Sequence, residues 1–120
     1  MWCVVRMDLP MPVGKMLVQA GHAYVSSAMQ LLATDPDRLN EWFSGAQAKI
    51  AVKAKNQAAL ERAEAECKEA GIPCYLVTDA GRTVFPEPTV TMLGIGPCYR
   101  SQLPKFVARF QLFEEAKETE

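Results

Sequence analysis

Residues 75–97 read YLVTDAGRTVFPEPTVTMLGIGP, and the fold turns on this stretch. Two apolar, β-branched runs flank a loop of small and polar residues. Tyr75-Leu76-Val77 and Val90-Thr91-Met92-Leu93 each predict a buried strand. Between them lies Asp79-Ala80-Gly81-Arg82-Thr83, where Gly81 supplies the backbone freedom for a sharp turn. A carboxylate, a guanidinium and a hydroxyl then share one loop held by strands, a setting that suits catalytic groups. An ordinary hairpin with a solvated Asp79 and Arg82 fits the same residues at least as well.

Working outward, Trp2-Cys3-Val4-Val5-Arg6 suits a buried strand. After a Pro-containing connection, a long helix is expected from about Val13 to Ala33, apolar on most sides and therefore mostly buried. Asp35 as N-cap and Pro36 at the first helical position start a short helix that ends before Ser44-Gly45. Residues 48–53 predict another strand. Asn56 caps a helix over 57–70, which Gly71 and Pro73 terminate. Residues 99–115 predict a last helix, with Leu103, Phe106, Val107, Phe110 and Phe113 on one face and Pro104 confined to its first turn. The order β-α-α-β-α-β-β-α gives an α/β class: one layered domain around a mixed sheet. Its boundaries are residues 1–115, followed by an acidic tail at 116–120.

The 120 residues fit one domain, and at 49% hydrophobic they can bury a core. The formal net charge is −1, so any nucleic-acid binding must come from cations clustered by the fold. The four cysteines, Cys3, Cys67, Cys74 and Cys98, have no zinc-ligand spacing, and reduced thiols are expected. Neither a signal peptide nor a membrane-length apolar run is evident. Those readings predict a cytoplasmic protein with no membrane contact, no metal and no cofactor.

Lys15, Gln19 and His22 stand at i, i+4 and i+7, on one helix stripe. Lys15 falls in the first turn, where a helix already favours anions. The same lysine also reads simply as a solvated residue that begins a helix. Gln19 is a polar residue in an apolar stretch, placed to hydrogen-bond backbone. His22 is the sole histidine and reads as a structural residue orienting a neighbour rather than as a nucleophile. Thr89 and Thr91 are two apart, so they share a sheet face. The basic residues that could meet phosphate are Lys15, Arg82, Arg100 and Lys105.

Two patches closely resemble one family, the type 2 peptidyl-tRNA hydrolases. The first is Arg6-Met7-Asp8-Leu9, Gly14-Lys15-Met16, Gln19 and His22-Ala23. The second is Asp79-Ala80-Gly81-Arg82-Thr83 and Thr89-Val90-Thr91-Met92-Leu93-Gly94-Ile95-Gly96-Pro97. Together they span nearly the whole chain in order. The resemblance implies a four-stranded mixed sheet with helices on both faces. It implies hydrolysis of the ester joining a peptide to tRNA, with Lys15, Asp79, Thr83 and Thr91 in the catalytic positions and Gln19, His22 and Thr89 supporting them. It also implies a homodimer, to which Trp42, Phe43, Phe85 and Phe113 would add exposed apolar surface. The chain departs from the pattern at Pro12-Val13, which removes one positive charge from the helix entry. It departs again at Val84 and in Phe85-Pro86-Glu87-Pro88. A non-catalytic RNA- or protein-binding module on the same fold is the alternative.

Overall fold

A computed structural model describes residues 1–82 and 84–114. One sheet holds β1 (Trp2–Arg6), β2 (Ile50–Ala54), β3 (Cys74–Asp79), β4 (Thr89–Ile95) and β5 (Gln111–Leu112), in the spatial order β3-β4-β1-β2-β5. β1 and β2 run parallel, and the other neighbours are antiparallel. The α/β class with a mixed sheet holds, but among the described residues the sheet has five strands instead of the expected four.

Helix α1 (Val13–Met29) covers one face, where Ala23 packs with Cys3, Val5, Val77 and Met92. The long expected helix breaks at Gln30, whose side-chain amide donates to the Cys74 carbonyl at 2.7 Å. A four-residue α2 (Leu31–Thr34) follows, then α3 (Pro36–Ser44), capped as expected by Asp35, which accepts from the Arg38 amide. Helix α4 (Gln57–Glu69) covers the other face. Asn56 accepts from the Ala59 amide at 3.0 Å, and Leu60, Ala63 and Cys67 pack against Val4, Val52, Leu93 and Ile95. Cys3, Cys67 and Cys74 are buried free thiols, and burial pushes the first two up to about 12.

The expected final helix is not formed. A 3-10 turn (Arg100–Gln102) and a single turn α5 (Lys105–Ala108) lead into β5. The apolar stripe splits between the two faces of the sheet. Leu103, Phe106, Val107 and Phe110 pack on the α4 side, whereas Phe113 reaches the α1 side. Its amide donates to the Ala51 carbonyl at 2.9 Å, extending the pairing of β5 with β2. Residues 115–120, including the expected acidic tail, lie outside the described residues.

Two irregularities in β4 place the site. Val77 pairs with Met92 but Thr78 pairs with Val90, so Thr91 is the extra residue of a β-bulge. Gly94 lies against α1, where a Cβ would run into the carbonyl oxygen of Ala23. Glycine therefore sets how closely α1 lies on the strand. β1, β2 and β3 all finish at one end of the sheet, where Arg6, Ala54 and Asp79 stand. The opposite end holds Trp2 and Ile95, which are paired.

Candidate active site

Asp79 is the last residue of β3, and Lys15 stands in the first turn of α1. The helix runs back along the sheet from the end where β3 stops, so the two side chains meet. The Lys15 ammonium pairs with Oδ1 of Asp79, with side-chain exposures of only 15% and 7%. Oδ2 of Asp79 accepts the Gly81 amide at 2.9 Å. That bond needs the tight turn made by Gly81 at φ 81°. A Cβ there would meet the backbone of Glu87. The hydrogen bond from Lys15 and then the Gly81 amide hold the Asp79 carboxyl below the usual carboxylate range. Burial opposes these two bonds more weakly, and the charges of Lys15 and His22 add smaller contributions that lower it further.

One turn along α1 from Lys15, Gln19 is buried and accepts the Thr91 hydroxyl at 2.6 Å. Thr91 is fully buried and also lies 3.5 Å from the Val77 carbonyl. The bulge makes this pairing possible by turning Thr91 as well as Met92 toward α1. Thr89 donates to the Glu87 carbonyl at 2.8 Å and closes the loop. His22 is exposed, as is much of α1, so the expectation of a mostly buried helix is corrected. Alternation of α1 between core and solvent is the reason: only Gln19, Ala23, Ser27 and Ala28 are buried along it. Phe85 is likewise corrected, being buried instead of exposed.

The expected cations are not gathered in one place. Arg82 is exposed on the Asp79 loop. Arg100 lines a cavity with Met1, Trp2 and Pro97 at the opposite end of the sheet, a β4 length of about 20 Å away. Lys105 begins α5. Thr83 lies outside the described residues.

Arg6 received no role from the sequence, yet it braces this end of the molecule. Its guanidinium meets Asp8 at 2.7 and 3.3 Å, Gln57 at 3.2 Å and the Val90 carbonyl at 3.0 Å. One side chain thus ties β1 to the start of α4 and to the strand residue beside Thr91. The Arg6-x-Asp8 spacing was its only sequence signal. The site therefore offers an ionised carboxylate, an ammonium on it, and a hydroxyl–amide pair packed one turn behind. Such a set can hold a water and stabilise a developing oxyanion.

The family model for peptidyl-tRNA hydrolase PTH2 matches residues 1–113. A peptidyl-tRNA hydrolase of Thermococcus onnurineus is 36% identical over 109 residues, covering 91% of this chain and 92% of the relative. A probable peptidyl-tRNA hydrolase 2 of Schizosaccharomyces pombe is 36% identical, covering 92% of this chain and 54% of the relative. The human mitochondrial peptidyl-tRNA hydrolase 2 is also 36% identical, covering 92% of this chain and 62% of its own length. With its two sequence patches brought together at Lys15 and Asp79, the chain belongs to the PTH2 family of peptidyl-tRNA hydrolases.

Proposed function

We propose that the protein hydrolyses the ester between a peptide, or an N-blocked amino acid, and tRNA, by direct attack of water with no metal in the step. The observation that carries this reading is the shielded Lys15–Asp79 ion pair at the end of the sheet. The Lys15 ammonium holds Oδ1 of Asp79 and the Gly81 amide holds Oδ2. Asp79, held ionised, orients the water and accepts its proton as the oxygen attacks the ester carbonyl. The Lys15 ammonium stabilises the negative charge that develops on that carbonyl oxygen. Collapse of the tetrahedral species returns a proton to the tRNA ribose oxygen and leaves the peptide as its acid. Gln19 and Thr91 act behind this pair by fixing α1 against β4. Thr83, Thr89 and His22 complete the proposed set, with Lys15 and Arg82 meeting phosphate nearest the ester.

A second copy of the chain is proposed as a partner. Val13, Leu17, Val25 and Met29 recur at four- and eight-residue steps along the solvent side of α1, all at least half exposed. A homodimer would cover this row. No helix among the described residues is long and apolar enough to cross a membrane, and a cytoplasmic location goes with a tRNA substrate.

The test is release of free tRNA from a defined N-acetyl-aminoacyl-tRNA by the pure protein. Turnover that is lost in Asp79→Asn and Lys15→Met supports the reading. One observation favours the alternative of a binding module, namely the separation of Arg100 from the other candidate cations. Tight tRNA binding without turnover would select that alternative.

A further inference from the structure

A second groove opens at the Asp79 end of the sheet, on the α4 face. It has a volume of about 570 Å³, and Met7, Lys55, Ala59, Phe106, Arg109 and Phe110 line it. Its floor is apolar: Met7 is 44% exposed, and Phe106 and Phe110 meet edge to face at 5.1 Å. The Arg62 guanidinium, paired with Glu66, lies 3.9 Å from the centre of the Phe106 ring, and Phe110 lines the groove beside it. The rim is cationic. Lys55 and Arg109 are exposed, neither makes an ion pair among the described residues, and no acidic residue lines the groove.

Position relates this groove to the ester site. Met7 follows β1 and Lys55 follows β2, so both leave the sheet at the end where Asp79 closes β3. Three strand spacings, about 14 Å, separate β3 from β2. Arg6, adjacent to Met7, bridges the interval through its contacts with the Val90 carbonyl and Gln57. A single strand leaving Asp79 would cross the sheet end within a few nucleotides. An apolar aromatic floor with an unpaired cationic rim suits an unpaired nucleotide, since stacking takes any base and the cations take its phosphate.

We propose that this groove holds an unpaired nucleotide of the RNA a few residues from the esterified end, its base against Phe110 and Met7 and its phosphate on Lys55 and Arg109. The inference rests on the peptidyl-tRNA reading of the Asp79 site. The experiment compares two substrates carrying the same ester, N-acetyl-aminoacyl-tRNA and N-acetyl-aminoacyl-adenosine, which lacks every upstream nucleotide. Phe110→Ala, and separately Lys55→Gln with Arg109→Gln, should raise KM for the tRNA about ten-fold with kcat unchanged. Neither should alter turnover of the adenosine ester. In the double variant, the slope of log affinity against log salt should shrink by about 0.7 per lost phosphate contact. Unchanged KM for tRNA, or equal losses on both substrates, would overturn the proposal. If Phe110→Ala fails to fold, the exposed Lys55 and Arg109 pair decides alone. If the wild type cleaves neither ester, the reading of the Asp79 site has failed. Fluorescence anisotropy of a short single-stranded RNA then tests the groove separately, and binding unaffected by the double variant would refute it.

Discussion

The two long helices of this molecule cover opposite faces of one sheet and are built in opposite ways. Helix α4 buries Leu60, Ala63 and Cys67 and turns Glu61, Arg62, Lys68 and Glu69 to solvent. Helix α1 buries Gln19 and Ser27 with two alanines, and exposes Val13, Leu17, Val18, Val25 and Met29. In α4 the apolar side chains stabilise the fold by leaving water. In α1 the inward positions carry hydrogen bonds: Gln19 accepts from Thr91, and Ser27 donates to the Gly96 carbonyl at 2.7 Å. Those bonds fix where the helix lies and so where Lys15 stands. The lesson is a division of labour, in which one helix holds the domain together and the other positions the Lys15–Asp79 ion pair and leaves its apolar surface outside.

That division is open to direct attack. The largest effect expected is from Leu60→Ala, which empties a fully buried site on the α4 side and should cost about 2–5 kcal/mol of unfolding free energy. Denaturant unfolding measures it, and turnover per folded molecule should be unchanged. A loss of turnover that exceeds the loss of folded protein would break the contrast. Next come Lys15→Met and Asp79→Asn, each expected to lower kcat about 10²–10³-fold in single-turnover hydrolysis. A variant with near wild-type kcat would remove the chemistry from this helix.

Asp79 also gives a pH signature. Its folded-state pKa is depressed, so its contribution to stability is complete above the unfolded carboxylate value and is lost as pH falls through the lower folded one. Its charge should therefore persist from pH 7 to pH 5. Acid titrations of wild type and Asp79→Asn should converge only below the ordinary carboxylate range, and convergence already at pH 5 would contradict the depressed value. A smaller effect, about 1 kcal/mol, is expected from Asn56→Ala at the cap of α4. The least change in monomer stability, within about 0.5 kcal/mol, is expected from Leu17→Gln on the exposed side of α1. Light scattering should nonetheless show dimer lost in that variant. A wild-type protein that stays monomeric at all concentrations would leave the exposed row without its proposed partner.

The contrast between the helices also explains what the sequence made legible. The signals of α4 are local, with Asn56 before it and Gly71 and Pro73 after it, and its limits agree to one residue. The meeting of Lys15 with Asp79 followed from matching both patches to one family, since spacing alone left Lys15 ambiguous. Burial of α1 is not legible from its apolar content, because a row of valine, leucine and methionine faces water here. The final segment imitates a helix, since Leu103, Phe106, Val107, Phe110 and Phe113 repeat at helical intervals. Pro104 and two changes of direction divide that run between two faces of the sheet. A two-residue strand such as β5 is too short to show alternation. The roles of Arg6 and Thr91 depend on partners more than eighty and seventy residues away in sequence, respectively, which no local pattern encodes.

The bulge at Thr91 makes β4 a strand with two phases. Before it, odd-numbered residues such as Thr89 and Thr91 turn toward α1; beyond it, even-numbered Met92 and Gly94 do so. The hydrogen-bonding hydroxyls of Thr89 and Thr91 therefore follow one phase and the packing of Met92 and Gly94 the other. Removing Thr91 would make Val90 and Met92 neighbours on a regular ladder with both halves still in step, and would take away only the hydroxyl that Gln19 accepts. The irregularity is the splice that lets one strand serve a hydrogen-bonded site at one end and a close-fitting helix seat at the other.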